Sequence, residues 1–390
     1  MNIFAWFACI ALVCTLVTLY ESLQYQRQRR RLDESTPLDN SKVPLVSIII
    51  PARNEEKHIE AALASVLALD YPRLEFIVLD DRSTDRTADI LHQLSDRDPR
   101  LRVITLRNLP TGWLGKNHAL HVGAEQADGE FLLFTDADVQ MAPDTMSRAV
   151  SRMVEQNLDH LCLTFRLDLP SLLLGMLAAD SLSVLLTLFK PWRISEPDPR
   201  YFMGIGGFNL VRHKTYIGFG GHRPIRLCPV DDILLGRLVK KVGGKQECLD
   251  GCNFITVPWY GSIMEMANGL RKNALSMVDY KISFCILATV LIICCQILPF
   301  WGLLFTEGIV RLICGFAVLA TFFSQLIAVR AFALPLTCLG WFLVAPYLKL
   351  WVFWRAVIIA LKRGGIEWRG TFYSLNELKK NMIPLLPWRK

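Results

Sequence analysis

Charge is scarce in this chain. Asp, Glu, Lys and Arg make up 20% of its 390 residues, against 52% apolar. That balance excludes a disordered polymer and most purely soluble enzymes. Paired cysteine motifs are absent. Eleven cysteines occur, but none form a C-x-x-C, so a zinc or disulfide framework is not expected. Seven lie in apolar segments; Cys162, Cys228, Cys248 and Cys252 do not. They read as small buried hydrophobes in a reducing compartment. No basic stripe with interleaved aromatics runs through the polar part, so no nucleic-acid partner is expected. Neither a P-loop spacing nor a G-x-G-x-x-G turn is found. No Ser/His/Asp or Cys/His constellation can be assembled. His118 and His121, one helical turn apart, lack an evident carboxylate partner and read as structural. There is no internal repeat and no low-complexity tract.

The apolar residues come in blocks, and the net charge of +7 lies largely beside them. Residues 1–22 read as an N-terminal transmembrane anchor. The basic residues follow the apolar run and Thr18-Leu19-Tyr20-Glu21 is a poor cleavage site, which argues against a signal peptide. Arg27, Arg29, Arg30 and Arg31 then place the 23–43 linker beside an anionic cytoplasmic membrane surface. A smaller apolar block at 170–190 carries Asp180, which a bilayer crossing would bury. An amphipathic helix lying on the membrane surface is expected, with a buried core helix as the alternative. Residues 282–361 supply C-terminal transmembrane or interfacial segments, ambiguous in number beyond 331. Residues 362–390 form a basic tail with Lys362, Arg363, Arg369, Lys379, Lys380, Arg389 and Lys390. A multi-pass cell (inner) membrane protein with a cytoplasmic domain follows from the positive-inside rule.

Between these blocks strands and helices alternate. Strands are expected at Leu45 to Ile50, Leu74 to Leu79, Leu101 to Leu106 and Glu130 to Thr135. Helices are expected at Glu55 to Leu69, at Ser83 to Leu94 with Ser83 or Thr84 as N-cap, and at Lys116 to Ala127. Helix-length crossovers predict an α/β domain with a mostly parallel, Rossmann-like sheet and flanking helices. Ligands in such sheets bind beyond the carboxyl ends of the strands. Asp80-Asp81 and Asp136-Ala137-Asp138 both sit at such ends, so they should face one crevice.

Those residues carry chemistry. Two carboxylates one residue apart, Asp136 and Asp138, can share a hard divalent cation, Mg²⁺ or Mn²⁺, and leave its other positions to phosphate and water. Pro51-Ala52-Arg53-Asn54-Glu55-Glu56 and Asp80-Asp81-Arg82-Ser83-Thr84-Asp85 make polar strand ends that can accept hydrogen bonds from a base N–H and ribose hydroxyls. Helix capping is the plainer reading of Ser83, Thr84 and Asp85. Gly112-Trp113-Leu114-Gly115-Lys116 precedes a helix, where Lys116 can meet a phosphate or ribose and Trp113 serves equally as packing. Asp231-Asp232 opens an amphipathic helix, with an N-cap role open for Asp231.

Taken in order, P-A-R-N-E-E, D-D-R-S-T-D-R-T, G-W-L-G-K and T-D-A-D resemble a membrane-bound family 2 glycosyltransferase of GT-A fold over residues 44–281. The resemblance implies inverting transfer from a nucleotide sugar, usually a UDP-sugar. It puts Pro51, Ala52, Arg53, Glu55, Asp80, Asp81 and Lys116 on the donor side, Asp136 and Asp138 on the metal, and Asp232, paired with Asp231, as the base that deprotonates the acceptor. Gly206, Gly207, Phe208 and Asn209 resemble the acceptor-side strand, with a β-bulge or turn as the plain alternative. The Q-x-x-R-W signature of processive synthases is missing. Arg271 and Lys272 stand in that region and could touch the diphosphate. A single-sugar transfer to a membrane lipid hydroxyl, as in ceramide glucosyltransferase-like and carotenoid or hopanoid enzymes, is therefore the expected reaction. A processive exopolysaccharide synthase and a non-catalytic nucleotide-sugar-binding scaffold are the alternatives. Gly365 to Tyr373, rich in aromatics suited to the interface, has no assigned place.

Overall fold

The computed structural model describes residues 3–37 and 43–385. Arg389, Lys390 and part of the linker lie outside the described residues. The strands are β1 (Val46–Ala52), β2 (Leu74–Asp81), β3 (Leu101–Leu106), β4 (Phe131–Phe134), β5 (Gln140–Met141), β6 (His160–Leu163), β7 (Arg166–Asp168), β8 (Asn209–Arg212), β9 (Gln246–Leu249), β10 (Ile255–Pro258), β11 (Gly365–Trp368) and β12 (Thr371–Ser374). The helices are α1 (Ile3–Gln28), α2 (Ile59–Leu67), α3 (Thr87–Arg97), α4 (Gly115–Glu125), α5 (Thr145–Glu155), α6 (Leu172–Phe189), α7 (His213–Gly218), α8 (Asp231–Lys241), α9 (Ile263–Gly269), α10 (Arg271–Ala274), α11 (Ile282–Ile292), α12 (Leu298–Phe305), α13 (Gly308–Ala331), α14 (Ala345–Arg363) and α15 (Leu375–Lys380).

The main sheet runs β3-β2-β1-β4-β8-β6-β9. Its β3, β2, β1 and β4 are parallel, and β8 alone runs antiparallel to both neighbours. Strand alternation decides the layers. Val46, Ile48 and Ile50 of β1 point to α2, α3 and α5, while Ile49 points to α4 and α8. Burial of side chains such as Phe76 and Phe131, both fully enclosed, contributes about 1.5–3 kcal/mol each. Both faces are covered, as a parallel sheet requires.

The apolar blocks gather into a second body. α1 lies along α13, and α6 packs on α1, α13 and α14. Among the described residues four helices are long and apolar enough to cross a membrane: Phe4–Gln28, Leu172–Arg193, Ile282–Phe305 and Gly308–Ala331. Their outer surfaces expose Phe4, Trp6, Ile286, Leu287, Phe316 and Leu319, an apolar belt that water would not tolerate in a soluble monomer.

Two expectations are corrected here. α6 does not lie on a surface as an amphipathic helix. It is apolar nearly all round, and such a helix is buried; its polar residues Asp180 and Ser183 turn inward. Asp180 contacts Lys349 of α14 and accepts hydrogen bonds from Gln296 (2.9 Å) and Gln325 of α13 (2.8 Å). The arginines after α1 are likewise not left free for a lipid surface. Arg29 pairs with Asp250 at 3.0 Å, Arg30 pairs with Glu247, and Leu32 is wholly buried. The stretch is therefore stitched to β9 and its following turn, because those carboxylates are themselves nearly buried and need partners.

Candidate functional site

Parallel pairing sets Ala52 beside Asp80 and Ile49 beside Phe134. The carboxyl ends of β1, β2 and β4 therefore open onto one crevice, as their sequence positions predict. The polar residues after β1 and β2 do more than cap. Asn54 N–H donates to Ser83 Oγ (3.1 Å), Thr84 N–H to Asn54 Oδ1 (2.8 Å) and Glu55 N–H to Thr87 Oγ1 (2.8 Å). Ser83 and Thr84 therefore lace two loops together, and neither caps α3. Asp80 is buried, and its Oδ1 accepts from Ser83 N–H at 3.3 Å. Asp81 is held by Arg82 at 2.7 Å and by Arg53 at 3.6 Å. Pro51 and Ala52 are buried within β1.

The centre of the crevice is built around Gly206. A Cβ there would stand 2.8 Å from Asp136 Oδ2, 3.4 Å from Asp232 Oδ2 and 3.6 Å from Lys116 Nζ. Two mutually distant stretches of chain thus converge on the space of one methyl group. Thr135 Oγ1 ties β4 to this loop by donating to the Gly207 carbonyl at 2.8 Å. Asp232 Oδ2 accepts from Gly206 N–H (3.0 Å), and its Oδ1 accepts from Ile233 N–H (2.9 Å). Gly204 allows the approach: a Cβ there would fall 1.8 Å from the Asp232 carbonyl oxygen. Lys116, brought by the start of α4, sits 2.6 Å from Asp136 and 3.8 Å from Asp231. Lys116, Asp136, Gly206, Asn209, Asp231 and Asp232 line this crevice. A second pocket lies away from it, against Arg29, Arg30, Glu247 and Asp250, where the four charges pair with one another.

Electrostatics divide the carboxylates. Burial would raise Asp136, but Lys116 overrides it and holds the group below the ordinary range. Asp138 is pushed up to about 7 by burial, then by Asp136 and Glu55. Asp231 is pushed up to about 6 by burial, with Lys116 opposing and Asp232 and Asp136 adding. Asp232 is raised by burial as well, again against Lys116. Burial likewise works against the charge of Lys116, but the carboxylates around it win and raise its pKa. Two carboxylates one residue apart, in no group of three or more His, Cys, Asp or Glu among the described residues, fit a hard cation that takes its remaining oxygens from a ligand and water. They do not fit a closed zinc cage.

Other expected site residues separate. Gly207 packs on Phe165 and Val257. Asn209 donates to the Asp232 carbonyl at 3.3 Å and meets His160. Phe208 is corrected: its side chain is wholly buried in the core, because β8 starts one residue later and points it inward. Lys272 faces the crevice, lowered to about 8 by burial and by Lys116. Arg271 instead donates to the Asn268 carbonyl at 3.2 Å. His121 stacks on Trp113 at 4.9 Å. Three groups escaped the sequence reading. Tyr260 is pushed up to about 12 by burial and by Asp138. Arg369 meets Glu55 at 2.7 Å, and Trp368 lies 4.2 Å beneath Lys272 Nζ. The only signal for the last two was the run of aromatics after the final apolar block.

Comparison with known proteins agrees with this geometry. Residues 47–215 match the family model for Glycosyl transferase family 2. A putative teichuronic acid biosynthesis glycosyltransferase TuaG of Bacillus subtilis (strain 168) is 36% identical over 114 residues, 29% of this chain and 44% of that protein. The 4,4'-diaponeurosporenoate glycosyltransferase of Staphylococcus haemolyticus is 41% identical over 96 residues, covering 25% and 24%. The beta-monoglucosyldiacylglycerol synthase of Synechocystis is 37% identical over 125 residues, covering 30% and 26%. The match thus spans less than half the length of these relatives. Among solved structures, the mannosyltransferase PcManGT from Pyrobaculum calidifontis, in complex with GDP-Man and Mn²⁺, superposes with a TM-score of 0.50 at 16% identity, covering 92% of this chain and 99% of that one. Its fold is the one described above, a mixed α/β GT-A sheet with flanking helices. Residues 47–215 are thus similar to glycosyl transferase family 2, and the sheet they build has the GT-A fold.

Proposed function

We propose that this protein transfers one sugar, with inversion, from a nucleotide sugar to the hydroxyl of a membrane lipid. One observation carries the reading: Asp136 and Asp232 face each other across the missing side chain of Gly206. A donor diphosphate on the Asp136 side and an acceptor hydroxyl on the Asp232 side would meet in that space.

Asp232, held by Gly206 and Ile233 N–H groups, takes the acceptor proton as the acceptor oxygen bonds to the anomeric carbon. The bond from that carbon to the diphosphate oxygen breaks, and the diphosphate leaves with the electron pair. Lys116 and Lys272 balance the charge that develops there. Asp136 and Asp138 would hold Mg²⁺ or Mn²⁺, which when bound supplies Lewis-acid stabilisation of the leaving diphosphate. Asp231, 3.8 Å from Lys116 Nζ, keeps the Lys116 ammonium oriented. Arg53 and Glu55 stand at the β1 end where a nucleoside would lie.

The lipid acceptor is supported by the apolar helices, which α14 links to the crevice by packing on α6 and on α9 and α10, and by the names of two relatives, which refer to 4,4'-diaponeurosporenoate and monoglucosyldiacylglycerol. The charge around α1 and α14 supports a cytoplasmic catalytic domain.

The test uses the full chain in nanodiscs made from host lipid extract, with a panel of nucleotide sugars and Mn²⁺ or Mg²⁺. Released nucleotide and lipid mass are read together. A lipid gaining one hexose, lost in Asp232→Asn, supports the reading. Nucleotide release without a glycosylated lipid moves the acceptor to a polymer or to water. No release with any donor makes the chain a binding scaffold.

A further inference from the structure

The last two strands join no other sheet, yet they reach the site. β11 and β12 pair from Gly365↔Ser374 to Trp368↔Thr371, leaving Arg369-Gly370 as a two-residue loop. Both loop residues have positive φ, 49° and 74°. Such turns favour Asn-Gly or Gly-Gly, and a long side chain in the left-handed region is disfavoured. An arginine held there points to a use for its side chain.

The base of the hairpin is fixed. Ile366 and Tyr373 are buried with Val357 and Ala360 of α14. Leu375 N–H donates to the Gly364 carbonyl at 2.9 Å, and Ser374 Oγ caps α15 by accepting from Glu377 N–H at 3.2 Å. The tip leans over the carboxyl ends of the main sheet. Arg369 pairs with Glu55 after β1 at 2.7 Å. A Cβ on Gly370 would stand 3.5 Å from Arg53 Nη2. Trp368 stacks under Lys272 at 4.2 Å. Arg369 and Lys272 also act on Asp136 through space, both lowering its pKa. Among the described residues Arg369 forms its ion pair with Glu55, and its guanidinium is close enough to Asp136 and Lys272 to act on both.

We propose that the β11–β12 hairpin is a wall of the nucleotide-sugar site, and that Arg369 leaves Glu55 to bind the donor's diphosphate beside Lys272. Planar guanidinium forks match phosphate oxygens in a way that a carboxylate partner only imitates. The proposal rests on the nucleotide-sugar reading above and adds to it a diphosphate contact on an element beyond the matched family region. Because the hairpin continues directly from α14, donor binding would be felt by the helices that flank the lipid.

The test uses the full chain in nanodiscs with Mn²⁺, and the probes UDP, UMP, GDP and GMP. Arg369→Ala is expected to weaken diphosphate binding about 10- to 100-fold and to leave monophosphate binding nearly unchanged. Arg369→Lys should recover part of the loss. In turnover the donor KM should rise more than kcat falls. Hydrogen exchange on the unmodified chain should slow at residues 364–374 when the diphosphate is added. That readout needs no variant, so a misfolded Arg369→Ala leaves the proposal testable. Equal loss of mono- and diphosphate binding, or unchanged diphosphate affinity with no protection of the hairpin, overturns it. If the unmodified chain binds none of the four nucleotides, the donor reading itself falls and this proposal with it. If it binds them while Arg369→Ala binds equally well, only this proposal falls.

Discussion

Replacing Asp232 by Asn tests the base assignment most directly. The side chain keeps its shape and loses its proton affinity. A positioned general base contributes about 10²- to 10⁴-fold, so kcat should fall by that factor, or about 3–5 kcal/mol of barrier. A structural price accompanies it. Asp232 accepts from Gly206 N–H through Oδ2 and from Ile233 N–H through Oδ1. The amide can accept only through its oxygen, so one donor is left without its partner, at about 1–3 kcal/mol. Thermal unfolding in nanodiscs reads that second effect separately. Donor affinity should change little, since the proposed mechanism uses Asp232 on the acceptor and not on the donor. The assay is single-turnover transfer with saturating donor, beside a nucleotide titration and a melt. If Asp232→Asn keeps kcat within about threefold while it binds nucleotide normally, no proton transfer passes through this group and the reasoning is wrong. A large loss of both nucleotide binding and melting temperature would equally refute it, since it would make Asp232 a structural residue.

Gly204→Ala should be destabilising, because its Cβ meets a backbone carbonyl at 1.8 Å; Gly206→Ala should fold but lose activity, because its Cβ meets the movable Asp136 carboxylate at 2.8 Å. Melts beside turnover distinguish the two. Asp180→Asn leaves Lys349 buried without its counter-charge and should cost about 3–5 kcal/mol, while Asp180→Leu with Lys349→Met should restore much of it; unfolding of both variants in the same lipid checks this. Acid should weaken the domain through two buried histidines. Burial lowers His160 to about 4 and His222 to about 3 from an ordinary 6.5. Between those values the unfolded chain binds more protons, so this stability is complete above pH 6.5 and is lost as pH falls through the window. The loss is on the order of 3 kcal/mol for His160 and on the order of 5 kcal/mol for His222, and His160→Gln should flatten the melt-versus-pH curve.

Much of the site could be read in one dimension because its parts are local. Asp136 and Asp138 follow an apolar strand, and a strand end in a parallel sheet has a known side. Asp231 and Asp232 open a helix, and Lys116 lies in the first turn of another. What could not be read were contacts between distant stretches. Phe208 is two residues from Gly206, yet the first residue of β8 sets the alternation that turns it into the core. Arg29 and Arg30 resemble a membrane-facing cluster until β9 brings Glu247 and Asp250 against them. Arg369 lies 314 residues from Glu55, and local pattern carries no information over such a separation.

The sequence by itself determined the α/β class, the positions of the carboxylates at strand and helix ends, and the apolar segments, since periodicity and composition act over a few residues. Only the tertiary structure decided which carboxylates share the space at Gly206, that α6 hides its Asp180 among other helices, and that the hairpin after α14 reaches Glu55 at the end of β1. Burial and charge pairing are properties of the assembled surfaces, and they exist only once those surfaces meet.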